Sequence, residues 1–313
     1  MSALQPAFPT DSAGLLAAEA LRAMEADLRP DRRPLRASDA APPRRHFPVL
    51  FLSDLHLGSR ACREDLLFSF LQSHSADTIY LVGDILDTWM PTRHWSPRQQ
   101  DILGLLLARA TEGARLIYTP GNHDAFFRRF IGQALLGVEI VDRLIHETAE
   151  GQRLLVVHGD EGDLFETRFP RITRLVARID GAFRGAVAGW NRLRAGMGLA
   201  PSGLAERVVK WVNDAARACD DFETRLSGIA RDHQADGIIC GHFHKPALHG
   251  AAGAVYANCG DWVENATALV ETCGGRLQLI DWAAAQEVAP ALAHPALGLE
   301  ISPHPVHIGL TPA

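Results

Sequence analysis

The chain has no CxxC pair, no excess of positive charge and no long apolar run, and each absence removes a class of protein. Its five cysteines, Cys62, Cys219, Cys240, Cys259 and Cys273, are odd in number and scattered. That pattern excludes a disulfide framework or a thiolate zinc site as the organising device, and a reducing cytoplasm is the expected compartment. No run of about 18 apolar residues, the length that spans a bilayer, occurs in the sequence. The first residues carry neither the basic region nor the continuous apolar core of a secretory signal. A soluble protein is expected, with peripheral contact at the inner membrane face as its approach to lipid. A formal net charge of -6 leaves no broad attraction for a phosphate backbone, so nucleic acid is not an expected partner. Composition says nothing about oligomeric state.

What is present is ordinary globular material, 47% hydrophobic and 22% charged over 313 residues, enough for a sizeable core. Three parts are expected. In residues 1–45, Leu15, Leu16, Leu21, Met24 and Leu28 predict an amphipathic helix over 13–29, capped by Asp11 or Ser12 and ended by Pro30. A proline- and arginine-rich linker follows it. Residues 46–282 are expected to form the main globular domain, and 283–313 are an alanine- and proline-rich tail with no assigned role.

Within the central part, five segments run from apolar to polar: PVLFLSD, DTIYLVGD, ARLIYTPGNHD, RLLVVHGD and DGIICGHFH. Continuous apolar strands imply burial on both faces, and ligands of open α/β sheets gather beyond the strand carboxyl ends, so the polar termini should converge. Residues 64–74 and 97–110 read as helices. VYANCGDW, TALVET and RLQLIDW read as antiparallel strands of a second sheet, with Gly274-Gly275 turning a hairpin between the last two. Residues 164–233 are mostly helical in pattern, with Val208, Val209, Val212, Ala216, Cys219, Phe222 and Leu226 on one face, and are expected to form an insertion over the site.

The polar termini carry the chemistry. Asp54 and His56 follow the first strand, Asp84 the second, Asn122 and His123 the third, His158 the fourth, and His242 and His244 the fifth. Taken singly, Asp54 or Asp84 reads as a helix cap and His158 as a satisfied core histidine. Together they offer carboxylate oxygens, an amide oxygen and neutral imidazoles, the donor set of manganese, iron or zinc, with manganese foremost. Two such cations about 3.5 to 4 Å apart need a shared anionic ligand and can hold one hydroxide between them, and Asp84 is the candidate bridge. Asp87, Asp160 and Asp163 read as loop residues or hydrogen-bond acceptors.

The ordered motifs DxH, GD, GNHD, a histidine after a strand, and GHxH resemble those of the calcineurin-like metallophosphoesterases, from about Ser53 to His244. The resemblance implies a four-layer αββα sandwich of two mixed sheets, the metallo-dependent phosphatase fold. It places Asp54, His56, Asp84 and His244 around one divalent metal, and Asp84, Asn122, His158 and His242 around the other. His123 is left unligated, to stabilise developing charge on the leaving oxygen or donate a proton to it, with Asp124 orienting its ring and favouring the charged form.

FLSDLHLG, VGDILDTW, HGD and the late CGDW are similar, more narrowly, to the UDP-2,3-diacylglucosamine pyrophosphatases. That likeness implies a nucleotide- or lipid-linked phosphate substrate. At GNHD the sequence departs from those enzymes, which carry arginine in place of His123, and there it is similar to related diphosphatase-like hydrolases. Arg207 and Lys210, three apart in the insertion, are candidate diphosphate contacts. The alternatives are a phosphodiesterase or nuclease of the same fold, which would need a basic track, and a noncatalytic scaffold, which predicts degraded ligand positions.

Overall fold

A computed structural model of the chain describes residues 44–89, 95–163, 190, 194 and 222–286. They fall in two compact units, Asp160–Arg225 and the remainder, and the remainder holds both sheets. The expected N-terminal helix, Arg207 and Lys210, most of the insertion about 164–233 and the tail beyond 286 lie outside the described residues.

Three strands, β1 (Arg45–Leu52), β2 (His74–Val82) and β3 (Arg115–Thr119), run parallel and side by side, with Leu52 opposite Leu81 and Val82 opposite Thr119. The helices between them are α1 (Glu64–Ser73) and α2 (Pro97–Thr111). Ser96 starts α2 by accepting the Gln99 N–H at 3.0 Å, and Pro97 occupies the first turn, where its missing donor is harmless. Beyond β3 come β4 (Ala134–Leu135) and β5 (Val138–Ile140), which complete one edge of a seven-stranded sheet. The second sheet has five strands: β6 (Leu144–Glu147), β7 (Arg153–Val156), β8 (Gly237–Cys240), β10 (Ala254–Asn258) and β9 (Ala247–Ala251), in that spatial order.

Strand alternation sends side chains to two cores. Phe51, Tyr80, Val82 and Ile117 of the first sheet meet Leu154, Val156, Ile239 and Ala257 of the second. Leu50, Leu52, Ile79 and Leu116 turn the other way, onto Leu67, Phe70, Ile102 and Leu106 of α1 and α2. The first sheet is thus apolar on both faces, which is why β1 and β2 read as unbroken hydrophobic runs. The outward residues Leu155, Ile238 and Tyr256 of the second sheet are buried as well, and α3 (Phe222–Asp232) contributes the fully buried Leu226 and Ala230.

The mixed α/β architecture with two facing mixed sheets is as expected, but the late strands are distributed differently. VYAN lies parallel to β8 in the second sheet, whereas β11 (Thr267–Glu271) and β12 (Leu277–Asp281) extend the first sheet beyond β1. The CGDW segment makes this possible by carrying the chain across the end of the sandwich. Trp262 N–H donates to Asp54 O at 3.0 Å, delivering β11 to the flank of β1. The hairpin turn falls at Gly274-Gly275 as expected, with Gly275 N–H on Thr272 O at 2.8 Å. No helix among the described residues is long and apolar enough to cross a membrane.

Candidate metal centre

All five polar termini emerge at one end of the sandwich, three from the first sheet and two from the second. Cross-loop hydrogen bonds lock them together: Asp54 N–H to Gly83 O at 3.0 Å, His56 N–H to Asp84 O at 2.9 Å, and Gly241 N–H to His158 O at 2.9 Å. Five of the residues that end up facing one another have left-handed backbone, Asp54 (φ 54), His56 (φ 47), Asp84 (φ 52), His242 (φ 69) and His244 (φ 53). Each such non-glycine residue costs on the order of 1–3 kcal/mol and persists only where its surroundings over-determine it. Strain collected in this way marks a site held for its chemistry rather than for stability.

The glycines of the motifs have a separate, steric reason. A Cβ on Gly241 would stand 1.7 Å from Ser53 Oγ and 2.4 Å from Asp54 Oδ2. One on Gly121 would stand 2.3 Å from Asp84 Oδ1, and one on Gly83 would overlap the His158 ring at 2.1 Å. The side chain of one loop therefore occupies the space where the neighbouring loop would carry its own.

The side chains form two clusters, and His56 shares a third group with Asp87 and His123. In the first, His244 Nε2 is 3.1 Å from Asp54 Oδ1, His56 Nε2 is 3.8 Å from the same oxygen, and the two Nε2 atoms face each other at 3.2 Å. In the second, one ligand atom each from Asp84, His158 and His242 lies within 4.8 Å of the others, and Asn122 Oδ1 is 3.3 Å from His158 Nε2. His158 donates Nδ1–H to Val82 O at 3.0 Å, which turns its Nε2 lone pair inward. Asp84 Oδ2 is part of the second cluster and faces the first, 3.4 Å from His158 Nε2 and 3.9 Å from His56 Nε2.

These residues fit a pair of cations. Ligands about 2.1 Å from one cation stand about 3 Å apart when adjacent, close to the spacing of Asp54, His56 and His244. Asp54 Oδ1 is fully buried and accepts no hydrogen bond, an orphan that a protein interior tolerates rarely and a cation would satisfy.

His123 lies beside these two clusters, and its ring is held by Asp87, Trp89 and His56. Asp87 Oδ1 accepts Nδ1–H at 3.1 Å, Trp89 stacks on the ring at 3.7 Å, and His56 packs edge-on at 4.6 Å. The partner expected for this ring, Asp124, is turned elsewhere. Its carboxylate accepts the backbone N–H groups of Gly121 at 2.6 Å, Ile85 at 2.7 Å and Leu86 at 3.3 Å. Consecutive side chains diverge, so Asp124 fastens the GNHD loop to the GD loop while the more distant Asp87 reaches the imidazole.

Residues 47–246 match the family model for calcineurin-like phosphoesterases. The chain belongs to that family. It is a metal-dependent hydrolase. Among its relatives is a UDP-2,3-diacylglucosamine hydrolase of Aeromonas hydrophila, 29% identical over 71% of this chain and 93% of that protein. Another, from Tolumonas auensis, is 27% identical over 64% of this chain and 81% of the relative. Vacuolar protein sorting 29 from Cryptosporidium parvum matches 74% of this chain and 94% of its own, at 10% identity and a TM-score of 0.38.

The electrostatics of the family site in this chain are those of a pocket short of positive charge. Burial opposes a charge on His56, yet the neighbouring carboxylate of Asp54 and the charges of Asp84 and Asp87 outweigh burial and raise it to about 9. Burial also opposes ionisation of Asp54, but His244, His56 and His158 hold it well below the usual carboxylate range. Asp84 is depressed in the same way, chiefly by His158 and His123 against burial. Burial and the Asp84 charge push Asp124 up to about 6, so it remains a carboxylate at neutral pH for its three N–H donors.

Residues behind the ligands complete the site, and spacing alone does not single them out. Asn265 Nδ2 donates to His244 O at 2.7 Å and Asn258 Nδ2 to Gly241 O at 2.7 Å, so the GHFH loop hangs from two amides. Asp261 caps its own turn through Val263 N–H at 2.7 Å. The CGDW motif is the one signal for this support. Arg207 and Lys210, the candidate substrate contacts, lie outside the described residues.

Proposed function

We propose that the protein hydrolyses a phosphoester or diphosphate in a nucleotide- or lipid-linked substrate, with UDP-2,3-diacylglucosamine the first candidate, at a centre of two divalent cations. The observation that carries the reading is the position of Asp84 Oδ2, within ligand-shell reach of both clusters. Two cations, manganese foremost among manganese, iron and zinc, would supply charge neutralisation and an acidified water when bound. Asp54, His56, His244 and Asp84 would hold one, and Asp84, Asn122, His158 and His242 the other.

The chain's own residues then perform the proton work. The Asp87 carboxylate engages Nδ1–H of His123, leaving Nε2 to carry the proton given up in the reaction. As a water oxygen bonds to phosphorus in line and gives up a proton to solvent, the P–O bond to the leaving group breaks and its electron pair stays on the leaving oxygen. His123 Nε2 protonates that oxygen and is recharged from solvent. The His123 side chain is 18% exposed, about as open to a substrate as that of His244 at 19%.

The relatives named for UDP-2,3-diacylglucosamine support the substrate class. The net charge of -6 weighs against a nuclease of the same fold. Manganese-loaded protein should therefore give its highest kcat/KM on UDP-2,3-diacylglucosamine or another nucleotide diphosphate conjugate, lower values on simple phosphodiesters, and the lowest on single-stranded DNA. A preference for DNA, or no turnover of any diphosphate, would overturn the reading.

A further inference from the structure

Asp87, Thr88 and Trp89 grip His123 in three different ways. Asp87 binds the ring nitrogen at 3.1 Å, Thr88 donates through its hydroxyl and its N–H to the backbone oxygen of His123, and Trp89 covers the ring face at 3.7 Å with the planes 20° apart. The backbone N–H of Trp89 also donates to the same Asp87 Oδ1, at 3.1 Å, so the main chain that carries the indole is tied to the atom that holds the imidazole.

These contacts restrict different motions. A hydrogen bond at Nδ1 fixes one point of the ring and leaves the ring free to pivot about it. A stacked indole fixes the plane. The His56 ring, inclined at 87° to His123, adds a second constraint on that plane. With both point and plane set, the direction of Nε2 is determined.

We propose that Trp89 is a positioning residue for proton donation: its indole holds the His123 ring in the plane that aims Nε2 at the leaving oxygen. The proposal rests on the reading of His123 as proton donor. An orientation effect of this kind falls on the protonation step, so its size depends on how badly the leaving oxygen needs a proton.

The test uses the full-length, manganese-loaded protein and a series of phosphodiesters running from nitrophenyl to phenyl to alkyl leaving groups. Trp89→Ala should lower kcat on the alkyl ester by about 10- to 100-fold, an effect expected when a reacting group is misplaced by about 1 Å. The nitrophenyl ester, KM and metal content should change little, and Trp89→Phe, which keeps a stacking face, should recover most of the loss. In a His123→Ala background, Trp89→Ala should add nothing. Equal losses for all leaving groups, no loss, or a full additional loss in the His123→Ala background would overturn the proposal. If His123→Ala is itself insensitive to the leaving group, the proton-donor reading falls and the proposal with it; a sensitive His123→Ala beside an insensitive Trp89→Ala removes the proposal alone.

Discussion

Two buried polar clusters occupy the same sandwich and are built in opposite ways. Between the sheets, His146 of β6 bonds Glu271 of β11 at 2.6 Å and faces the Tyr80 hydroxyl of β2 at 3.3 Å, while the second Glu271 oxygen accepts Ala149 N–H at 2.8 Å. That cluster lies on regular strands with each carboxylate oxygen engaged. At the end of the sandwich, Asp54 keeps an oxygen without a hydrogen bond, two imidazole nitrogens face each other, and five non-glycine residues have left-handed backbone. A buried network satisfied from within specifies structure, whereas one left unsatisfied and strained waits for something that the chain does not supply.

Substitutions can break this contrast, beginning where the effect is largest. Gly241→Ala puts a methyl group into the Ser53–Asp54 contact, and both neighbouring groups are part of the buried ligand shelf. It should nearly abolish turnover and metal retention together, read by activity and metal analysis of the purified variant. Recovery of an active, metal-replete protein would show that the shelf yields more than its packing implies. His123→Ala should slow hydrolysis by about 10²- to 10⁴-fold, the range of general acid catalysis, with metal content unchanged. Loss of metal in that variant would instead make His123 a ligand.

The contrast also predicts a pH dependence. Because His56 is raised to about 9, it carries a proton at neutral pH that an entering cation must displace. Metal affinity should then rise by about tenfold per pH unit for that proton below pH 9 and level off above it, as followed by calorimetry in buffers of different ionisation enthalpy. Affinity independent of pH over this window would contradict the assignment. The smallest effect on catalysis belongs to the other cluster. Glu271→Ala should remove about 1–3 kcal/mol of stability, the cost of leaving buried hydrogen-bond partners unsatisfied, while kcat per folded molecule stays the same. Denaturant titration and steady-state kinetics on one sample separate the two.

How far the sequence reaches follows from which relations are local. Apolar runs ending in Asp54, Asp84, Asn122, His158 and His242 are legible directly, because strand burial and ligand chemistry are both written into short segments. The destination of β11 and β12 is not, since TALV and VYAN have the same local pattern and only the crossover at Asp261–Trp262 assigns them to different sheets. Asp124 stands out over Asp87 in the sequence for the same reason: adjacency along the chain is visible there, and adjacency across loops is not. The glycines lie in plain sight within the motifs, but their cause is a side chain from another strand, visible only when the loops are assembled.

The central claim is that Asp84 joins the two clusters into one dinuclear centre, and metal stoichiometry tests it most directly. Manganese-loaded protein should hold two cations per chain, and Asp84→Ala should hold one or none and lose nearly all turnover. One cation in the unaltered protein, or two cations and full activity in Asp84→Ala, would contradict the account.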